Sequence, residues 1–222
     1  MNIIKIGFIG IILTLSGTAA SEIDPLKNIN ERTHVLNQTL DLQLASPIAR
    51  FYKRVTPDFI EISITNFTSN IEDLSIAINN ILQGKPTEGI SDITRFTINS
   101  TLGIGGFIDV ASGLGLDKND EDFGQTLAVW GIPDGPYLVL PGLGPSTMRD
   151  TLAMIPDAFL TPLWLIDHDR TAYSLTAIDL VDTRARYLGL ESVVIGDEYL
   201  FFRDAYLQSR EYDILDGQVD DD

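Results

Sequence analysis

The sequence predicts an all-α protein made of short amphipathic helices. Apolar residues recur at three- or four-residue spacing, or twice that, along most of the chain. Glycine and proline punctuate these runs at close intervals, and no strand-like segment occurs before Tyr137–Leu140. At 222 residues the chain suits one domain with a sizeable core. A hydrophobic content of 44% and a mean hydropathy of +0.10 exclude a disordered chain.

The first twenty residues read as an export signal. Lys5 supplies a positive charge, Ile6 to Leu15 is an apolar run too short to span a membrane comfortably, and Ser16 to Ala20 offers small residues for cleavage near Ala20. An uncleaved anchor is the lesser alternative. Residues 21–210 are expected to form one helical domain. The end, 211–222, carries six acidic residues and no basic one, and reads as an acidic flexible tail.

Asp24-Pro25-Leu26 opens a helix expected to reach Val55 with a bend at Pro47, its face marked by Ile29, Leu36, Leu40, Leu44, Ile48 and Phe51. Thr56-Pro57 restarts the chain as cap and first helical residue. Phe59, Ile60, Ile64, Phe67 and Ile71 form a second stripe, and Glu72 or Asp73 is expected to open a third helix ending at Gly84. A fourth runs from Pro86 to Leu102. Asp109–Ser112 and Gln125–Trp130 predict short helices, with a hairpin-like turn at 131–136. Ser146 is expected to cap the helix that follows. Pro156 and Pro162 break the apolar stretch Thr151–Ile166, which either lies in a membrane plane on Phe159, Leu160, Leu163, Trp164 and Leu165 or is a buried helix pair. Helices over 171–188 and from Asp197 close the chain.

The region from Ile90 to Asp150 organises the rest. It is rich in glycine and proline yet strongly apolar, whereas loops of that composition are normally polar because their peptide groups face water. Gly103, Gly105 and Gly106 alternate with Ile104, Phe107 and Ile108, and Tyr137 to Leu140 lies between two prolines. Apolar irregular backbone of this kind belongs in a core, at an interface, or at membrane depth around a cavity.

The charge balance and the reactive residues narrow the function. With 32 acidic and 15 basic residues, a net charge of -17 argues against nucleic acid and against electrostatic adsorption to anionic lipid. No cysteine means no disulfide and no thiol nucleophile. The histidines, His34 and His168, accompany no G-x-S-x-G elbow, and the glycines do not form G-x-G-x-x-G. Asp117 to Asp122 lacks the glycine and glutamate of a calcium loop. Arg95, Arg149, Arg184 and Arg203 are expected to pair with carboxylates, with one or two facing a lipid phosphate as the alternative. No catalytic constellation, metal site or cofactor site emerges, so no enzyme is expected.

Several blocks resemble the MlaA/VacJ family. TRFTINSTLGIGGFIDVAS, EDFGQTLAVWG and GPYLVLPGLGPSTMRD carry the likeness, together with Asp24-Pro25-Leu26, Pro47 to Pro57, Thr65 to Asn70, Asn80 to Pro86, Thr183-Arg184-Ala185 and Asp197 to Tyr206, in the family order over about residues 24 to 212. The resemblance implies a ring of helices in the inner leaflet of a bacterial outer membrane, around an amphipathic channel. Phospholipids misplaced in the outer leaflet would pass through it to a periplasmic lipid carrier of the Mla type, keeping the membrane asymmetric, with a trimeric porin as neighbour. Gly103, Gly105, Gly106, Phe107 and Tyr137 would then belong to the channel region. Gly131 and Gly135 would flank a gating loop, and Leu36-Asn37 a helix face that holds it shut. Many members are lipoproteins, but here Leu15-Ser16-Gly17 is followed by Thr18 where the lipid-bearing cysteine would stand. The expectation is therefore that the chain is not a lipoprotein. The competing reading is a soluble exported helical binding protein, or an unrecognised hydrolase, whose apolar glycine region is merely core.

Overall fold

A computed structural model describes residues 24–162, 169–189 and 194–218. The leader, Leu163, Trp164, Leu165, His168 and residues 219–222 of the expected tail lie outside them. Helix α1 (Lys27–Leu40) runs through a π-turn (Asp41–Ala45) into α2 (Ser46–Val55). Pro47 explains the turn: it has no N–H to give, and its ring crowds the preceding carbonyls, so the Ser46 N–H reaches back five residues to Asp41. Helix α3 (Asp58–Leu82) is a single 25-residue helix. The expected break at Glu72 and Asp73 is absent because Asp73 faces inward towards Arg95 and Lys118 instead of capping a terminus.

Helix α4 (Pro86–Thr101) matches its expectation, and a glycine turn leads to α5 (Val110–Gly113), capped by Asp109 through the Ser112 N–H. Asp122 caps α6 (Phe123–Val129). The hairpin falls later than expected: β1 (Tyr137–Leu140) pairs antiparallel with β2 (Gly144–Thr147), while 131–136 forms an irregular approach to it. Thr147, not Ser146, caps α7 (Met148–Leu160): its hydroxyl accepts the Asp150 N–H, while the Ser146 hydroxyl bonds that of Thr151. Pro156 lies inside α7, which ends at Thr161-Pro162. Helices α8 (Asp169–Arg186) and α9 (Glu198–Ile214) follow. Helix α9 thus runs past the expected domain boundary, and Asp216 beyond it pairs with Lys85, which ties down the start of the expected tail.

Neighbour relations close into a circuit. Helix α1 packs on β1; β2 packs on α7 and α9; α6 on α7 and α9; α3 on α6 and α7; α8 on α3; and α2 on α8, rejoining α1 through the π-turn. Helix α4 packs on α3 and α5 on α4, as a branch off the circuit. No described helix is long and apolar enough to cross a membrane.

Polarity is distributed inside out. The buried apolar residues are mostly small, such as Ala49, Ala77, Ala111 and Ala153, with one aromatic cluster of Tyr137, Val139 and Tyr199 beneath the hairpin. Asp73, Asn79, Asn80, Asp92, Arg95, Asn99 and Asp182 are buried, whereas Ile29, Leu42, Leu44, Phe51, Ile62 and Phe159 are exposed.

Candidate functional site

The ground between α3, α4 and α5 is built from hydrogen-bonded polar side chains. Arg95, only 2% exposed, projects from α4 and donates to Ser112 Oγ (3.0 Å), to Asp109 (3.3 Å) and to the Leu116 carbonyl. Asn99, one turn on, donates to Asp109 (3.0 Å) and accepts the Ala111 N–H (2.9 Å). Asn80 and Asn119 both donate to Asp92, from α3 and from the loop before α6. This satisfied lattice fixes the glycine turn against α3 and α4, because each lost partner would strand a buried polar atom. Asp73 and the Nε of Arg95 are exceptions. Neither oxygen of Asp73 has a hydrogen bond, though Arg95 Nε and Lys118 Nζ each lie 3.6 Å away.

These environments displace the acids in opposite directions. Burial pushes Asp73 up to about 6, against the pull of Lys118 and Arg95. It does the same to Asp157, to about 6, although the carboxylate accepts the Phe123 N–H. Burial acts upward on Asp109 too, but hydrogen bonds from Ser112 and Asn99 prevail and hold it at about 2. A second tie joins three elements at α9: Arg210 bridges Asp122 and Asp150 with several hydrogen bonds, and Tyr206 donates to Asp150 (2.7 Å).

Three cavities lie at joints of the circuit. One of about 560 Å³ sits between α1, the hairpin and the ends of α8 and α9, with Asn37, Val139, Pro145, Arg184 and Phe202 in its wall. Another, about 580 Å³, is lined by Gly131, Ile132, Arg149, Arg210 and Leu215. A third, about 400 Å³, opens between α3 and α8.

The residues expected to form the channel and its gate are brought together in part. Asn37 donates to the Leu140 carbonyl (2.8 Å) and accepts the Gly142 N–H (2.7 Å), so it grips the tip of the hairpin. The loop 131–136 is held differently, by Arg149, whose backbone N–H donates to the Asp134 carbonyl and whose side chain pairs with the Asp134 carboxylate. Leu36 is exposed beside Asn37. Tyr137 is buried against Tyr199 and Tyr206. Gly131 lines the second cavity and Gly135 abuts Met148. Gly103, Gly105 and Gly106 form the turn between α4 and α5, and Phe107 stacks on Phe67 of α3 at 5.0 Å. Phe159 is exposed at the end of α7, and Leu160 is half-buried.

All four singled-out arginines meet carboxylates: Arg95 with Asp73 and Asp109, Arg149 with Asp134 and Asp150, Arg184 with Asp41, and Arg203 with Asp204. Asn30 was not singled out, yet it is the residue that bonds the Tyr137 carbonyl (3.0 Å), the Val139 N–H (2.9 Å) and Asp24 (2.8 Å). In the sequence it is one of several polar residues on the faces of the first helix away from the apolar stripe, and nothing there separates it from the others.

A family model described as MlaA lipoprotein matches residues 22–213. The intermembrane phospholipid transport system lipoprotein MlaA of Escherichia coli K12 is 32% identical over 203 residues, 88% of this chain and 80% of that protein. An uncharacterized protein of Rickettsia conorii is 35% identical over 192 residues, covering 85% of this chain and 76% of that one. A solved structure described as "Structural basis for maintenance of bacterial outer membrane lipid asymmetry" matches with a TM-score of 0.78 and 30% identity, over 86% of this chain and 98% of that one.

These matches correct the expectation that the chain is not a lipoprotein. The matched family and its relatives in Escherichia coli, Shigella flexneri and Haemophilus influenzae all bear that word. The expectation rested on Thr18 alone, one position in a leader outside the described residues. A missing thiol there bears on one attachment at one place and does not outweigh a match along the whole body.

Proposed function

Because the chain belongs to the MlaA family, we propose that it is the outer-membrane component of an intermembrane phospholipid transport system. It takes phospholipids misplaced in the outer leaflet and passes them by an amphipathic route to a periplasmic carrier, maintaining lipid asymmetry. The observation that carries the reading is the inverted polarity: many charged and amide side chains are buried while many large apolar ones are exposed. A lipid in transit needs a polar path for its headgroup beside an apolar surface for its chains. The family is that of a transport component, and the protein is proposed to bind and pass its cargo without transforming it. A trimeric porin is proposed as its neighbour in the membrane.

The same reading assigns a gate. Asn37 holds the hairpin tip from α1, and Gly131 and Gly135 give the approach loop its left-handed turns, with φ of 86° and 69°. Removal of the chain from cells should raise outer-leaflet phospholipid, measured with an amine-reactive probe that does not cross the membrane; unchanged labelling would reject the function. Asn37→Ala frees the hairpin and should disturb asymmetry at normal protein level. Asymmetry equal to that of the parent would reject the gate.

A further inference from the structure

Between α3 and α8 lies a cleft with two unlike ends. The wider end, about 400 Å³, is lined by Thr65, Ser69, Lys118, Asp179, Thr183 and Arg186, and falls in the size range of small-ligand sites. A narrower continuation of about 140 Å³ shares Thr68, Glu72 and Asp179 with it and adds Ile71 and Leu175 beside Thr161 and Thr176. One end therefore offers charges of both signs and the other an apolar exit.

Asp179 stands where the two ends meet. It is half-buried, with no hydrogen-bond or ion-pair partner among the described residues. Arg186 is seven residues on, along the same helix face, about 10.5 Å away by helical rise. The two are too far apart to neutralise each other. Arg186 donates to Thr183 Oγ1 (2.8 Å), and its Nε lies 3.5 Å from Asp182. Asp182 already accepts hydrogen bonds from Tyr52 (2.8 Å) and Thr65 (2.7 Å), so the guanidinium keeps donors for a ligand. Lys118 is committed to Ser69 and Glu72 and contributes field more than contact.

We propose that this cleft holds the headgroup of a zwitterionic glycerophospholipid, with the phosphate on Arg186 and Thr183, the ammonium on Asp179, and the acyl chains leaving past Ile71 and Leu175. An ammonium on a two-carbon arm, as in phosphatidylethanolamine, suits a base and an acid set apart on one helix face. Phosphatidylglycerol has no cation, so its phosphate would approach while Asp179 stayed unpaired. The inference rests on the transport reading in taking phospholipid as the cargo.

The test is binding of phosphatidylethanolamine and of phosphatidylglycerol, each in detergent micelles, to the full chain by native mass spectrometry. The parent protein should prefer phosphatidylethanolamine. Asp179→Asn, which gives up no structural partner, should weaken that lipid about tenfold without weakening phosphatidylglycerol, the scale of one charge-assisted hydrogen bond. Arg186→Gln should weaken both. Asp117→Asn, an exposed acid outside the cleft, controls for net charge and should keep the preference. An Asp179→Asn protein with the parental preference overturns the headgroup site and leaves transport standing. A parent protein that binds neither lipid overturns both.

Discussion

Gly103 and Ile104 set opposite demands on one turn. A Cβ on Gly103 would stand 2.1 Å from the Ile108 carbonyl oxygen and 2.5 Å from that of Asn99, both backbone atoms that can yield only if the turn between α4 and α5 opens. Gly103→Ala should therefore cost about 1–3 kcal/mol or more, read as a lower unfolding temperature in detergent. An unchanged temperature would mean the turn is looser than described. Ile104 sits in the left-handed region at φ 55°, a strain of about 1–2 kcal/mol for a residue with a Cβ, and its side chain is 69% exposed. Ile104→Gly should relieve that strain and raise the same temperature; a fall would show that the side chain supports the fold. The glycine run announced a turn in the sequence. The strain on Ile104 could not be read there, because its φ belongs to a turn closed by backbone hydrogen bonds on either side of it, from the Gly105 and Gly106 N–H groups to Ser100 and Asn99 and from Ile108 to Gly103.

At the level of elements, the apolar stripes located α1, α2, α4, α8 and α9, because spacing along one face survives whatever the face is packed against. The sequence divides α3 because Glu72 and Asp73 look like a helix start. A buried acid with basic neighbours carries the same letters as a cap, and only the packing of α3 beside α4 and the Lys118 loop separates the two. The hairpin was placed early because Gly131 and Gly135 resemble its turn residues, while the actual tip at Gly142 is fixed by Asn37 from a distant helix. The inward Asp73 has a consequence for pH. Its folded value of about 6 exceeds the ordinary 3.8, so the native chain keeps this proton to higher pH than the unfolded chain does. Stability should therefore fall as pH rises from about 4 to about 6 and then level off. Asp157 acts in the same direction. Asp41, Asp109 and Asp150 are lowered, and they withdraw their support only below their ordinary value. Unfolding in detergent at pH 4.5 and pH 7 should show the parent more stable at the lower pH, and Asp73→Asn should shrink the difference. An undiminished difference would assign the effect to other acids.

For the molecule as a whole, the deciding question is what the outward apolar faces meet. The sequence showed that such faces exist, but amphipathic spacing does not say which side points to the centre, since a helix in water and one in lipid can share a stripe. Asn79, Asp92, Arg95 and Asn99 fill the buried ground between α3, α4 and their neighbours, and Leu44 of the π-turn and Ile62 of α3 are left exposed. A soluble binding protein or hydrolase would place such residues in its core, because each leucine or isoleucine kept from water is worth roughly 1.5–3 kcal/mol. Retention in a membrane fraction cannot separate burial from attachment through a lipid, so the surface itself has to be probed. With no native cysteine, single substitutions Leu44→Cys and Ile62→Cys accept a spin label at one place only. In phospholipid bilayers both labels should relax faster with molecular oxygen, which concentrates in acyl chains, than with a water-soluble nickel chelate. A label at Asp117, in the charged loop, should show the reverse. If Leu44 and Ile62 behave like Asp117, the exposed apolar faces meet water, and the proposal that the chain sits in a lipid leaflet fails.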